Sequence, residues 1–432
     1  MATCTRAAHR APARRRRKRS GSRAGNGKRS AVSSVAATAP GPLQGVRVID
    51  FSAMIAGPYC TRLLADSGAR VIKVEPPEGD YMRGREPLRN GHSAYFGILN
   101  CGKESLCLDL KKDRALELVH DLVRQCDVLV ENFRPGVMRR LRLDYPRLEQ
   151  VNPRLVYCSI SGFGQRGPDS ERPAYAPIVH AASGYEMANL RYQDHPEQPL
   201  KSAMFVADYL TGVHAFGAIC AALLRRTRTG QGERIDCALM DSMVGMLAYE
   251  CAAAQFPVRR PRPIFRPTRA MDGFLILAPV SPANFADLSQ AVGHPEWLTD
   301  PRFMTSEVRA GNWDALMDEL DKWASDKTAA ECESIMTRGG VPCSRYYTVG
   351  EAMAMPYAQK RGLLGSARDG AGEFKVPNPP FHLQHSPVHA RDFVAALGEH
   401  NERVLREVLG LSRDAVEELS SQGVACQPPA RG

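Results

Sequence analysis

The sequence predicts an α/β protein built on a parallel sheet with helices on both faces. Three observations carry this expectation. Apolar strand-like runs alternate with helical stretches from Leu43 onward, the first segments form a βαβ unit of about 30 residues, and the same pattern then repeats downstream.

Val46–Phe51 reads as the first strand. A helix over Tyr59–Ser67 follows, opened by Pro58 and stopped by Gly68, the usual placement of those two residues at helix ends. Arg70–Glu75 is the second strand. Ser105–Leu110, a helix over 113–125, Asp127–Asn132 and the strand Arg154–Ile160 continue the alternation. The apolar stretch His214–Leu224 predicts a helix packed on both sides. From 257 to 269 prolines and arginines crowd together, including Arg262, Arg266 and Arg269, and the segment 251–269 reads as a linker. A second, smaller α+β domain is expected over 270–365, with a strand at Phe274–Ala278 and helices near 284–291, 312–324 and 328–338. Residues 366–432 read as a loop-rich return segment ending in one helix, 400–420.

Composition bounds the function. The chain has 432 residues, 44% hydrophobic and 24% charged, as an ordinary globular protein does. No uninterrupted apolar run reaches the roughly 18 residues that cross a bilayer; the longest lies near 213–224. The twelve cysteines form no Cys-x-x-Cys pair and several sit in apolar strands, which suits buried thiols rather than a disulfide framework or a metal site. The formal charge of +10 belongs to one segment: residues 1–41 hold 11 of the 57 basic residues and no acidic one, leaving 46 basic against 47 acidic residues in the rest. That basic segment, too poor in apolar residues to fold, reads as a disordered extension; a transit peptide and a nucleic-acid-binding tail are the alternatives. The expected location is the cytoplasm, or the mitochondrial matrix if residues 1–41 act as a transit peptide. The near-neutral body argues against nucleic acid as a partner.

The candidate catalytic residue is Asp208, in Phe205-Val206-Ala207-Asp208-Tyr209-Leu210-Thr211-Gly212, at the mouth of the long apolar helix. There a carboxylate serves either as a nucleophile near the positive end of the helix dipole or as an ordinary N-cap. No G-x-G-x-x-G follows the first strand, so a dinucleotide site is not expected.

Several ordered motifs carry a resemblance. Pro42–Phe51 with Ala56-Gly57-Pro58, then Val71–Glu75, Glu131–Gly136, Ser161–Gly164 and Thr229–Asp236, are similar to those of the family III CoA-transferases, the formyl-CoA and crotonobetaine/carnitine CoA-transferase group. The likeness runs from about 42 to 245 and is looser beyond 270. It implies a Rossmann-like large domain over 42–250, completed by the C-terminal segment, in an interlaced homodimer. It also implies CoA thioesters and free carboxylic acids as substrates, with no tightly bound cofactor and no metal. Asp208 matches the catalytic aspartate, whose carboxylate is acylated and then thioesterified by CoA. Carried over position by position, Ile55, Ala56, Leu108, Asn132, Phe133 and Arg140 are the implied CoA contacts. Ile55 stands where some relatives have a polar residue, and Pro76 where some have Arg.

The same fold hosts α-methylacyl-CoA racemases, which pair a histidine with an aspartate. Here Tyr175 and Ala176 occupy those two places, and a phenol is a poor proton carrier near neutral pH. His180 reads as an ordinary packed residue. Transfer is therefore expected over racemisation; a catalytically silent CoA-binding relative is a further alternative. The glycine run of formyl-CoA transferases is missing, which leads away from oxalate and formate. The arginines of the linker suggest a dicarboxylate such as succinate, with Arg262, Arg266 or Arg269 clamping its distal carboxylate.

Overall fold

In each strand of the large sheet, successive side chains point to opposite faces, and both faces are apolar. A computed structural model describes residues 40–193, 197–199, 202–259, 262, 264–279 and 281–426. The sheet consists of β1 (Arg47–Asp50), β2 (Arg70–Glu75), β3 (Lys103–Cys107), β4 (Val128–Glu131), β5 (Val156–Ser161) and β6 (Glu233–Ala238). Its strands are all parallel, in the order β3-β2-β1-β4-β5-β6. Ile49, Ile72, Leu106 and Leu129 enter one core, whereas Val48, Val71, Val128 and Val156 enter the other. The order reverses between β1 and β4, which opens a crevice beyond their carboxyl ends.

The first core is covered by α2 (Asp113–Gln125) and by the end of the chain, through Leu118, Leu122, Val404, Leu405, Val416 and Leu419. The return is stitched by main-chain contacts. Leu108 bridges Ala425, the Cys426 N–H donates to the Cys107 carbonyl at 3.0 Å, and the Asn401 carboxamide takes the Cys107 N–H at 2.8 Å. The segment expected as one helix over 400–420 is two, Asn401–Glu407 and Arg413–Ser421. Gly410 lies between them at φ +71°, a left-handed conformation that ends a helix.

The second core lies beneath α1 (Ala56–Asp66) and α4 (Val206–Thr229). α4 is 24 residues long, its most apolar 18-residue window has a mean hydropathy of 1.4, and among the described residues it is the one helix long and apolar enough to cross a bilayer. The sequence count missed this because it considered only the uninterrupted stretch. One face of α4, through Ala207, Ala215, Ile219 and Leu223, packs into this second core. At Gly212 it lies so close to α1 that an added Cβ would stand 2.7 Å from the Ala56 carbonyl oxygen and 3.2 Å from Tyr59 Cδ1.

Beyond α4 the chain departs from expectation in two further places. Residues 251–255 belong to a helix, Ala248–Gln255, and Thr268–Arg269 pairs with Phe274–Leu277, so the expected linker is partly structured; Arg260, Pro261 and Pro263 lie outside the described residues. The loop-rich stretch after 366 contains a hairpin, Leu364–Asp369 with Gly372–Pro377. Between them, Phe274–Leu277, Cys343–Arg345 and Thr268–Arg269 form an antiparallel sheet with its own core around Leu275, Phe285 and Leu316.

Two outcomes test this architecture. Leu405→Ala, at a fully buried site in the first core, should lower stability by about 2–5 kcal/mol in a denaturant titration. Gly212→Ala should leave the circular-dichroism spectrum unchanged yet reduce turnover at saturating substrate by about 10²-fold, because the new methyl pushes α4 off α1.

Candidate active site

The crevice is shaped by buried charge. Lys103 and Lys73, both 2% exposed, extend from neighbouring strands under the loop that joins β1 to α1. Lys103 Nζ lies 3.0 Å from Asp50 Oδ2 and donates to the Pro58 carbonyl at 2.9 Å and to Asn100 Oδ1 at 2.8 Å. Lys73 Nζ donates to the Ser52 carbonyl at 2.6 Å and sits 2.9 Å from Asp80 Oδ2. Burial alone would raise the Asp50 carboxyl, but Lys103 and Lys73 outweigh it and hold the group below its ordinary value. Burial draws Lys103 down to about 8, with Asp50 opposing. Glu75 is drawn to about 2: burial raises it, and the Arg83 guanidinium, paired with both carboxylate oxygens at 2.7 Å, more than reverses that.

From the other side Asn132 clamps the same loop. Its Oδ1 accepts the Ala53 N–H at 2.9 Å and its Nδ2 donates to the Ala53 carbonyl at 2.7 Å. Between the two holds, Met54 adopts φ +66°, a strained value for a side chain of this size that the surrounding bonds maintain. Chain direction reverses there, and α1 starts at Ala56 with its free N–H groups facing the crevice.

Asp208 reaches that helix start. It sits in the first turn of α4, while the N-cap position belongs to Phe205, so the capping alternative does not hold. Burial pushes its carboxyl up to about 6, and the N–H groups of Ala56 and of Asp208 itself draw it partly back. The carboxylate thus rests at the positive ends of two helices, with no cationic side chain among the described residues to neutralise it. Beside it stand three tyrosines. The Tyr59 and Tyr209 rings meet edge to face at 4.9 Å, and the Tyr209 hydroxyl donates to Tyr95 Oη at 3.3 Å.

The structure brings Asp208, Ala56, Ile55 and Asn132 together at the reversal point of the sheet. Ile55 is the N-cap of α1, and its side chain is buried with Met82, Phe96 and Leu99. Phe133 follows Asn132, half-buried, with its N–H on Glu131 Oε2 at 2.9 Å. Leu108 lies two strands away, wholly buried in the first core with its N–H on the Glu75 carbonyl, so the structure does not bring this expected contact to the crevice. Arg140 is exposed at the end of a short helix, Val137–Arg140, and its guanidinium has no protein partner among the described residues. Glu131 and its hold on the Phe133 turn, the three tyrosines, Gly212 and the two buried lysines were not singled out from the sequence. Apart from the Glu131 turn, which is local, each matters through contacts between segments far apart in the chain, and the spacing of residues carries no signal for that. His180, read as a packed residue, meets the first turn of α4. Tyr175, in the place of the racemase histidine, is 63% exposed.

Of the three arginines expected as a clamp, two already have carboxylate partners. Arg262 binds Glu250 at 2.7 Å and stacks on Tyr249, and Arg266 binds Asp318 and Asp321 at 2.8 and 2.7 Å. Arg269 lies over the Phe274 ring. Among the described residues no cluster of His, Cys, Asp and Glu could hold a metal ion.

The chain matches the model of CoA-transferase family III over residues 43–401. It is 36% identical over 381 residues to the acetyl-CoA:oxalate CoA-transferase of Acetobacter aceti, covering 85% of this chain and 96% of that one. The succinyl-CoA:glutarate CoA-transferase of Mus musculus is 32% identical over 400 residues, covering 89% and 90% of the two chains. Among solved structures, a CAIB/BAIF family protein from Brucella suis superposes with a TM-score of 0.74 at 32% identity, over 85% of this chain and 100% of that one. With the fold, the ordered motifs and these relatives in agreement, the chain belongs to CoA-transferase family III.

Proposed function

We propose that this enzyme moves CoA between an acyl-CoA thioester and a free dicarboxylic acid through covalent intermediates on Asp208. The observation that carries the reading is the carboxylate itself, half-buried, raised to about 6 and facing the first N–H of α1. At neutral pH it is ionised but thinly solvated, the state in which a weak oxygen nucleophile is most reactive.

The Asp208 oxygen attacks the thioester carbonyl, the C–S bond breaks, and CoA thiolate leaves an acyl–aspartyl anhydride. The thiolate then attacks the Asp208 carbonyl and releases the donor acid, leaving an aspartyl-CoA thioester. The acceptor carboxylate displaces the thiolate in turn, and thiolate attack on the acceptor carbonyl frees Asp208. Negative charge develops on an Asp208 oxygen in these steps, and the Ala56 N–H meets it there. CoA lies in the crevice past Ile55, Ala56, Asn132 and Phe133, with the unpaired Arg140 guanidinium for a phosphate.

The acids in the names of the relatives support a dicarboxylate: oxalate, glutarate and D-citramalate each carry two carboxyl groups. Oxalate returns among them although the glycine run that led away from it is missing here. The paired state of Arg262 and Arg266 removes them as the clamp. The exposed apolar side chains Val213 and Leu224 of α4, with Val244, Met246 and Phe256, fit a surface covered in a homodimer.

Asp208→Asn should abolish exchange by about 10⁴-fold or more, and hydroxylamine should then trap no acyl adduct. Undiminished exchange in that variant sinks the assignment. Two pH effects follow. Activity at low substrate should fall as pH drops through about 6, where Asp208 takes up its proton. Stability runs the opposite way. A folded value above the unfolded 3.8 makes the contribution of Asp208 fullest below 3.8 and lost as pH rises through about 6. Asp208→Asn should therefore match the wild type in free energy of unfolding near pH 4 and exceed it near pH 8, by on the order of 1–3 kcal/mol, in denaturant titrations.

A further inference from the structure

The helix that carries Asp208 starts without the usual side-chain cap. Its N-cap residue, Phe205, offers no oxygen to the free N–H groups of the first turn. The Asp208 N–H turns to its own carboxylate. The Ala207 N–H is taken by a residue 27 positions earlier: His180 Nε2 accepts it at 3.1 Å. His180 belongs to α3 (Ala176–Ala182) and is 3% exposed. Its ring lies 5.5 Å from Tyr185, and its Nδ1 faces Glu186 at 3.9 Å. An Nε2 that accepts places the ring proton on Nδ1, so the imidazole is neutral. Burial, opposed by Glu186, holds its pKa below the ordinary value and favours that neutral form.

We propose that His180 is the positioning residue of Asp208: its imidazole replaces the missing cap, fixes the first turn of α4, and thereby aims the adjacent carboxylate at the start of α1. The proposal rests on the reading of Asp208 as nucleophile. An uncapped first turn frays most easily, and Asp208 lies within it, one residue past the bonded N–H. Gly212, one turn further on, anchors the helix against α1 but leaves the turn before it unheld. His180 holds that turn through the main chain at Ala207, while the Ala56 N–H meets the side chain of Asp208.

The test compares His180→Ala, His180→Leu, His180→Gln and Asp208→Asn in the full chain. The Ala and Leu variants lack the acceptor, whereas the Gln amide oxygen can stand where Nε2 stood. We expect the first two to lose about 10- to 100-fold in kcat and in the single-turnover rate of Asp208 acylation, with KM for the acyl-CoA within roughly twofold of wild type. His180→Gln should recover most of the loss. Wild-type acylation in the Ala or Leu variant overturns the proposal, as does an equal loss in the Gln variant, which would make ring shape rather than the acceptor the cause. If the Ala variant does not fold, the Leu and Gln pair decides. Asp208→Asn separates the two readings: activity in that variant defeats the nucleophile itself, whereas an inactive Asp208→Asn beside a fully active His180→Leu defeats only the positioning role.

Discussion

The candidate site depends on two helices touching. Asp208 meets the Ala56 N–H because α4 lies against α1 at Gly212, closer than any side chain would permit. That contact sets one helix start against another, and their dipoles are the main compensation for burying a carboxylate with no cation beside it. Moving either helix by the width of a methyl group separates the pair.

What keeps α1 in place is a second set of buried charges of opposite character. Asp50 and Asp208 are the same residue type a few ångströms into the same fold, and their surroundings drive them apart. Asp50, between Lys103 and Lys73, is held ionised and serves to fix the loop. Asp208, with no cation beside it among the described residues, is raised. Each ammonium of the network also holds main-chain carbonyls, at Ser52 and Pro58, so the ion pairs fix where the chain turns into α1. Removing one partner would strand the other in the core, which typically costs about 3–5 kcal/mol.

Much of the sheet was legible because strands buried on two faces must be apolar: Arg70–Glu75 and the helix over 113–125 were read with the bounds they have. β3 begins two residues earlier than read because Lys103 and Glu104 look like loop residues until their partners Asp50 and Arg70 are seen. The hairpin over 364–377 was lost among prolines and glycines, and Gly410 divided a helix that periodicity alone joined. Asp208 and Ala56 were visible as family motifs. Gly212, His180 and the lysines were not, since a close approach, a cap lent by another helix and a buried ion pair have no local pattern. The partners of Arg262 and Arg266 were equally hidden, their carboxylates being supplied by Glu250, Asp318 and Asp321 of the same chain.

The stitching of Ala425 and Cys426 onto the end of β3 bears on how the molecule is made. Seven buried side chains of the first core, from Val404 to Ala425, are synthesised some three hundred residues after the strands they cover. Until they arrive α2 covers that side of the sheet alone, and a chaperone able to shield a partly open sheet during elongation is the natural guardian of this interval.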